Sequence, residues 1–263
     1  MSPHANGRAD GQQRLASELA SRLATISSLQ ARLAEIARLA PRRIAFSTSL
    51  GIEDQAILHA IAAAGAKHGV ENDAKIDVFT LDTGRLFPET IDTIEQSEQR
   101  YGLGIRVLAP EAAAVEALVA RDGIMGFRLS VEARKACCAV RKVRPLERAL
   151  AGAGSWISGL RRGQSAGRSD VPFAAWDGEH ALIKINPLAD WSLERLEAYI
   201  AANTIPVNPL HAQGFPSIGC QPCTRAIRPG EDVRAGRWWW ESADGKECGL
   251  HASPRRAMPE AAP

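Results

Sequence analysis

Apolar residues fall at every third or fourth position from Leu15 to Leu39 (Leu15, Leu19, Leu23, Ile26, Leu29, Leu33, Ile36, Leu39). That period predicts one amphipathic helix or a helix pair, ended by Pro41. Beyond it the pattern changes. Residues 42–47, 75–81 and 105–108 read as short buried strands, each followed by a helical stretch, at about 52–67, 88–101 and 111–121. Residues 155–158 and 181–185 add a fourth strand and a weaker one, and 191–202 a further helix. Strands alternating with helices predict βαβ units, hence an α/β fold with a parallel twisted sheet flanked by helices. From Pro206 onward Pro, Gly and Asn dominate, so the last quarter reads mostly as loop. The expected division is an N-terminal helical segment over 1–41, an α/β domain over 42–228 and a mobile tail over 229–263.

Composition narrows the partners. The 263 residues, 45% of them hydrophobic, suffice for one sizeable core. A net charge of only +2 offers no broad basic surface, so neither nucleic acid nor membrane is expected as a partner, and anions must be met by local Arg and Lys clusters. No apolar run approaches the roughly 18 to 20 residues of a membrane span. The segment Met1–Gln13 is polar, without the apolar centre of a secretion signal. A cytoplasmic location is therefore expected. The five cysteines, Cys137, Cys138, Cys220, Cys223 and Cys248, are then unlikely disulfides, and metal binding or catalysis becomes the default.

Two turns carry candidate binding chemistry. Ser47-Thr48-Ser49-Leu50-Gly51 lies where the first strand hands over to the first helix behind it, and Leu81-Asp82-Thr83-Gly84-Arg85 follows the second strand. Hydroxyls, glycine and a helix N-terminus make an anion site, although a Ser-capped helix start is the commoner meaning of such a sequence. Ligands of open parallel sheets bind at strand carboxyl ends, so two such turns on neighbouring strands would build one crevice. The Cys-x-x-Cys of Cys220 and Cys223 is by itself open between zinc, a cluster and redox work, and buried cysteines often act only as small hydrophobes. Adjacent Cys137 and Cys138 are unusual for structural zinc, whereas four thiolates can hold an iron–sulfur cluster, with Lys135, Arg141, Lys142 and Arg225 as cationic neighbours. Cys248, isolated near the C-terminus, would ordinarily be a cysteine without a role.

These segments together resemble the adenylyl-sulfate and phosphoadenylyl-sulfate reductase family, within the adenine-nucleotide α-hydrolase-like superfamily. The resemblance rests on the serine-rich first turn, Leu81–Thr90, the Cys-Cys and Cys-x-x-Cys pairs, Ser158-Gly159-Leu160-Arg161-Arg162, the arginines of Arg234-Ala235-Gly236-Arg237, and the tail Glu247-Cys248-Gly249-Leu250-His251. It spans about Phe46 to His251. It implies a [4Fe–4S] cluster on Cys137, Cys138, Cys220 and Cys223, with Lys142 near both cluster and substrate. It implies substrate contacts from Ser47, Ser49, Leu81, Asp82, Thr83, Gly84, Gly159, Arg161, Arg234 and Arg237, and catalytic roles for Cys248, His251 and Lys142. Members lacking the four cysteines act on the 3′-phosphorylated nucleotide, so their presence points to adenylyl sulfate (APS). The implied activity is thioredoxin-dependent reduction of APS to sulfite and AMP through an S-sulfocysteine on Cys248, in sulfate assimilation and cysteine biosynthesis, by a homo-oligomer. The competing readings are a phosphoadenylyl-sulfate (PAPS) or dual-specificity reductase, a cluster-containing tRNA-thiolating enzyme of the same superfamily, and a non-catalytic zinc module.

Overall fold

The computed structural model describes residues 3–68 and 76–241. The N-terminal period forms two helices, α1 (Pro3–Thr25) and α2 (Leu29–Leu39). The break between them follows from Ser28, whose hydroxyl accepts the Ala31 N–H at 3.3 Å and caps α2. Then come β1 (Ile44–Ser47), α3 (Ile52–His68), β2 (Asp77–Leu81), α4 (Pro88–Tyr101), β3 (Arg106–Leu108) and α5 (Ala112–Asp122). Pro88 at the first turn and a left-handed Gly102 just past the end bound α4, the usual punctuation of a helix. The expected strand and helix at 155–158 and 191–202 appear as β4 (Ser155–Ile157) and α8 (Leu193–Ala202).

Three elements were not expected. A short strand, β5 (Ala174–Asp177), pairs antiparallel with the weaker strand at 181–185, here β6 (Leu182–Ile185). The cysteine pair sits at the end of a helix, α6 (Val131–Cys138), which continues through a π turn at Ala139–Val143 into α7 (Arg144–Leu150). A π turn inside a helix often marks a functional position.

The sheet order is β3-β2-β1-β4-β6-β5, parallel except for β5. The chain runs outward from β1 to β3 on one side and from β4 on the other, so the order reverses between β1 and β4. In such sheets the crevice for a ligand opens there, beyond the strand carboxyl ends. Two faces follow from the period of two along each strand. Ile44, Phe46, Val78, Ile157, Ile183 and Ile185 face a core built with α1, α2, α3 and α8. Ala45, Phe79, Trp156 and Leu182 face α7 through Leu146, Ala149 and Leu150. An ion pair with one buried partner ties the N-terminal helices to the domain: Arg32, 1% exposed, meets Asp190 at 2.6 Å and lies over the Phe173 ring. Among the described residues no helix is long and apolar enough to cross a membrane.

Candidate active site

Two adjoining hollows lie at the reversal point. The first, about 780 Å³ including its open mouth, is lined by Ser47, Thr48 and Ser49 from β1 and its turn, Leu81 at the end of β2 and Thr83 after it, and Ser158 and Gly159 after β4. The turn after β1 is strained: Leu50 adopts φ 60°, a left-handed conformation costing on the order of 1 kcal/mol for a residue with a Cβ. Burial of the Leu50 side chain and a bond from its N–H to Thr48 Oγ1 at 3.1 Å hold it there. The turn after β2 is closed by Asp82, whose carboxylate accepts the Gly84 N–H at 2.8 Å, and Gly84 takes φ 67°. Asp82 and Gly84 thus shape the turn that presents Leu81 and Thr83. Gly159 must be glycine, since a Cβ there would collide with the Asp54 carboxylate.

Asp54 accepts both the Ser49 N–H (2.6 Å) and the Ser49 hydroxyl (2.8 Å). Burial pushes its pKa up to about 6, against the two hydrogen bonds from Ser49. A carboxyl raised in the folded state contributes stability that is complete below its ordinary pKa of 3.8 and is lost as pH rises through 6. Asp54→Asn removes that titration. Wild-type stability relative to the variant should fall by about 1.4 kcal/mol between roughly pH 5 and pH 7.5, measured by urea unfolding, and a flat difference would exclude the shift.

The second hollow is lined by all four candidate cluster cysteines, with Arg85, Arg134, Arg141, Lys142, Arg237, Phe127 and Trp238. Cys137 and Cys138 reach it from the end of α6. Cys220 and Cys223 come from a single 3₁₀ turn around Pro222, pinned by Gln221 N–H to Arg85 O at 2.8 Å and by Trp238 N–H to Cys223 O at 3.1 Å. A Cβ at Gly219 would collide with the Arg237 guanidinium, which packs over Trp238. Burial, reinforced by the three neighbouring thiols, drives Cys223 up to about 12, and burial also raises Cys137. Burial acts the same way on Cys220, but Lys142, the Thr83 hydroxyl, Arg237 and Arg141 outweigh it and hold that thiol below its ordinary value. Arg141 donates to Thr83 O at 2.6 Å, while its buried Nε has no partner among the described residues. Four thiols inside a cationic wall with an unsatisfied donor fit an anionic, thiolate-ligated group. Among the described residues no three His, Cys, Asp or Glu side chains converge as ligands of a single ion.

Besides the Arg141–Thr83 bond, two further links join the hollows among the described residues. Lys142 lines both, and the Cys220 thiol donates to Thr83 Oγ1 at 3.3 Å. Arg161 does not line either hollow. It is 5% exposed, pairs with Glu53 at 2.9 Å and donates to Trp191 O, so in this structure it braces the loop after β4. Arg234 also lines neither, and its backbone N–H is taken by Asp232 at 2.8 Å. Cys248 and His251 lie outside the described residues. Sequence reasoning missed Trp156, Asp54 and Arg134. Only Asp54 carried a local signal, as an acidic residue in the first turn of α3.

Fold and site define a doubly wound α/β protein with a serine- and threonine-lined crevice set against a four-thiol chamber. The chain belongs to the phosphoadenosine phosphosulfate reductase family, whose domain model matches residues 43–226. Among curated relatives, adenosine 5′-phosphosulfate reductase of Agrobacterium fabrum is 53% identical over 92% of this chain and 90% of its own length. The Rhizobium meliloti enzyme of the same name is 56% identical, covering 89% and 83%, and that of Allochromatium vinosum 52%, covering 79% and 78%. The fold is shared with phosphoadenylyl-sulfate reductase from Candida auris, at a TM-score of 0.65 and 23% identity over 80% of this chain and 95% of that one.

Proposed function

We propose that the protein is an oxidoreductase that converts APS to sulfite and AMP. The observation that carries this reading is the shared wall: Lys142 faces both the switch-point crevice and the four-thiol chamber. Relatives named for APS reduction, at 46% to 58% identity, support the choice of substrate. In this reading the nucleotide lies in the first hollow, with its anionic groups toward Ser47 and Thr83 and toward Lys142, whose cation meets the phosphosulfate, while Ser49, whose N–H and hydroxyl both go to Asp54, shapes the turn. Arg237 and Arg234 belong to the segment leading into the tail and would add charge from that side.

Cys137, Cys138, Cys220 and Cys223 would hold a [4Fe–4S] cluster. When bound, such a group would supply a compact charged centre next to the substrate hollow. The protein should then be purified brown, with iron and an absorbance near 400 nm, and Cys223→Ser should lose both. A colourless protein with stoichiometric zinc would overturn this ligand assignment.

The chemistry requires a nucleophile and a two-electron donor. The Cys248 thiolate attacks the sulfate sulfur, a sulfur–sulfur bond forms, the S–O bond to phosphate breaks, and AMP leaves with the electron pair. One thiolate of a dithiol protein, thioredoxin in this reading, then attacks Cys248 Sγ and expels sulfite. The second thiol resolves the mixed disulfide and regenerates the Cys248 thiolate. Sulfur goes from +6 to +4 as the dithiol becomes a disulfide.

The decisive experiment incubates the holoenzyme with ³⁵S-labelled APS and no reductant. Label should appear on the Cys248 peptide and be discharged as sulfite by thioredoxin. Sulfite release without a labelled peptide would overturn the covalent route. The 3′-phosphorylated nucleotide, run in parallel, should label much more slowly.

A further inference from the structure

We propose that Trp156 is a positioning residue: its indole N–H fixes the Ser47 hydroxyl as a hydrogen-bond donor aimed into the nucleotide hollow. The inference rests on the reading of that hollow as the site of the substrate's anionic groups. Trp156 Nε1 donates to Ser47 Oγ at 2.8 Å, and both residues line the hollow. An indole nitrogen can only donate. Ser47 Oγ is therefore the acceptor in this bond, and its own proton must point elsewhere.

The sheet register makes the arrangement obligatory. Ala45 on β1 is the partner of Trp156 on β4, so the two share a face, and Ser47, two residues on, shares it as well. The indole is thus held diagonally beneath Ser47. Its ring is 1% exposed and is packed among Ala45, Phe79, Leu146 and Leu182. Lys184, the register partner of Trp156 on β6, places its ammonium 4.5 Å from the ring, and the His180 ring meets the indole edge-on at 5.6 Å. A cation over an indole polarises it and strengthens the N–H as a donor. A free serine hydroxyl rotates and offers either a donor or a lone pair. Against an anionic oxygen only the donor helps, and the lone pair repels. With the Trp156 N–H occupying one lone pair, the rotor is biased toward the useful state before substrate arrives, which lowers the ordering cost of binding.

The test measures AMP binding to the holoenzyme by calorimetry for wild type, Trp156→Phe, Ser47→Ala and the double variant. Trp156→Phe should weaken AMP by roughly threefold to tenfold, the worth of one neutral hydrogen bond. Ser47→Ala should weaken it at least as much. If Trp156 acts through Ser47, the double variant stays within about twofold of Ser47→Ala alone. Multiplicative losses would assign Trp156 a general packing role and overturn the proposal, as would wild-type affinity in Trp156→Phe. If Trp156→Phe does not fold, a benzothienylalanine at 156, which keeps the ring shape and removes the N–H, replaces it in the cycle. Failure of the wild type to bind AMP would instead remove the reading of the hollow itself.

Discussion

Cys248→Ser should reduce sulfite release by at least about 10⁴-fold while leaving the absorbance near 400 nm unchanged. A hydroxyl is a far weaker nucleophile than a thiolate near neutral pH. None of the four cysteines of the chamber should substitute, since each lines that hollow and, in the proposed reading, is committed to the cluster. AMP should bind the variant with near wild-type affinity, because among the described residues the lining of the crevice runs from Ser47 to Gly219. Retained turnover would mean that the electron donor's own thiol attacks the sulfate directly.

The second large effect concerns stability. Glu241→Ala should lower stability by about 3 to 5 kcal/mol, seen as a fall of roughly 10 °C in thermal midpoint. Glu241 is 6% exposed at its side chain and binds Arg134, 1% exposed, through two bonds of 2.7 and 2.9 Å. Arg134 in turn lies 4.5 Å from the Trp238 ring and lines the thiol chamber from α6. Removing the carboxylate leaves a guanidinium buried without its counterion, which costs more than the pair gained. Replacing both, as Arg134→Met with Glu241→Leu, should recover most of the loss, because an apolar pair of similar volume carries no desolvation penalty. A midpoint shift below about 2 °C in Glu241→Ala would show that solvent reaches the pair.

How much of this was legible in the chain depends on the range of the interaction. Helix α4 was readable end to end, since Pro88 and Gly102 mark its limits locally. The α/β class followed from the change of period after Pro41. Helices α6 and α7 escaped because Val131–Leu150 carries Arg, Lys and Glu where an apolar stripe would be expected, and the π turn shifts the phase between them. Strand β5 escaped because four residues between Pro172 and Gly178 are too few to show a period; it forms by pairing with β6. At the site, the two Ser- and Gly-bearing turns and the two cysteine pairs were legible as motifs. Their adjacency was not, because 81 residues lie between Cys138 and Cys220 and only the fold brings them to one chamber. Arg161 shows the limit of motif reading. The sequence displays an arginine after a strand, while its salt bridge to Glu53 depends on the first turn of α3 lying against the loop after β4.

The buried Glu241 fixes the point from which the rest of the chain departs. Cys248 lies seven residues further on. A polypeptide spans at most about 3.6 Å per residue, so covalent geometry alone confines the Cys248 sulfur to within roughly 25 Å of that anchor. One thiol in a sphere of that radius corresponds to an effective concentration of about 25 mM. In the proposed mechanism the nucleophile would thus act as an intramolecular reagent at a fixed local concentration, independent of how dilute the enzyme is. The protein reductant of that mechanism would, by contrast, arrive by diffusion. Single-turnover formation of the labelled enzyme is therefore zero order in reductant, and only its discharge follows the reductant's concentration.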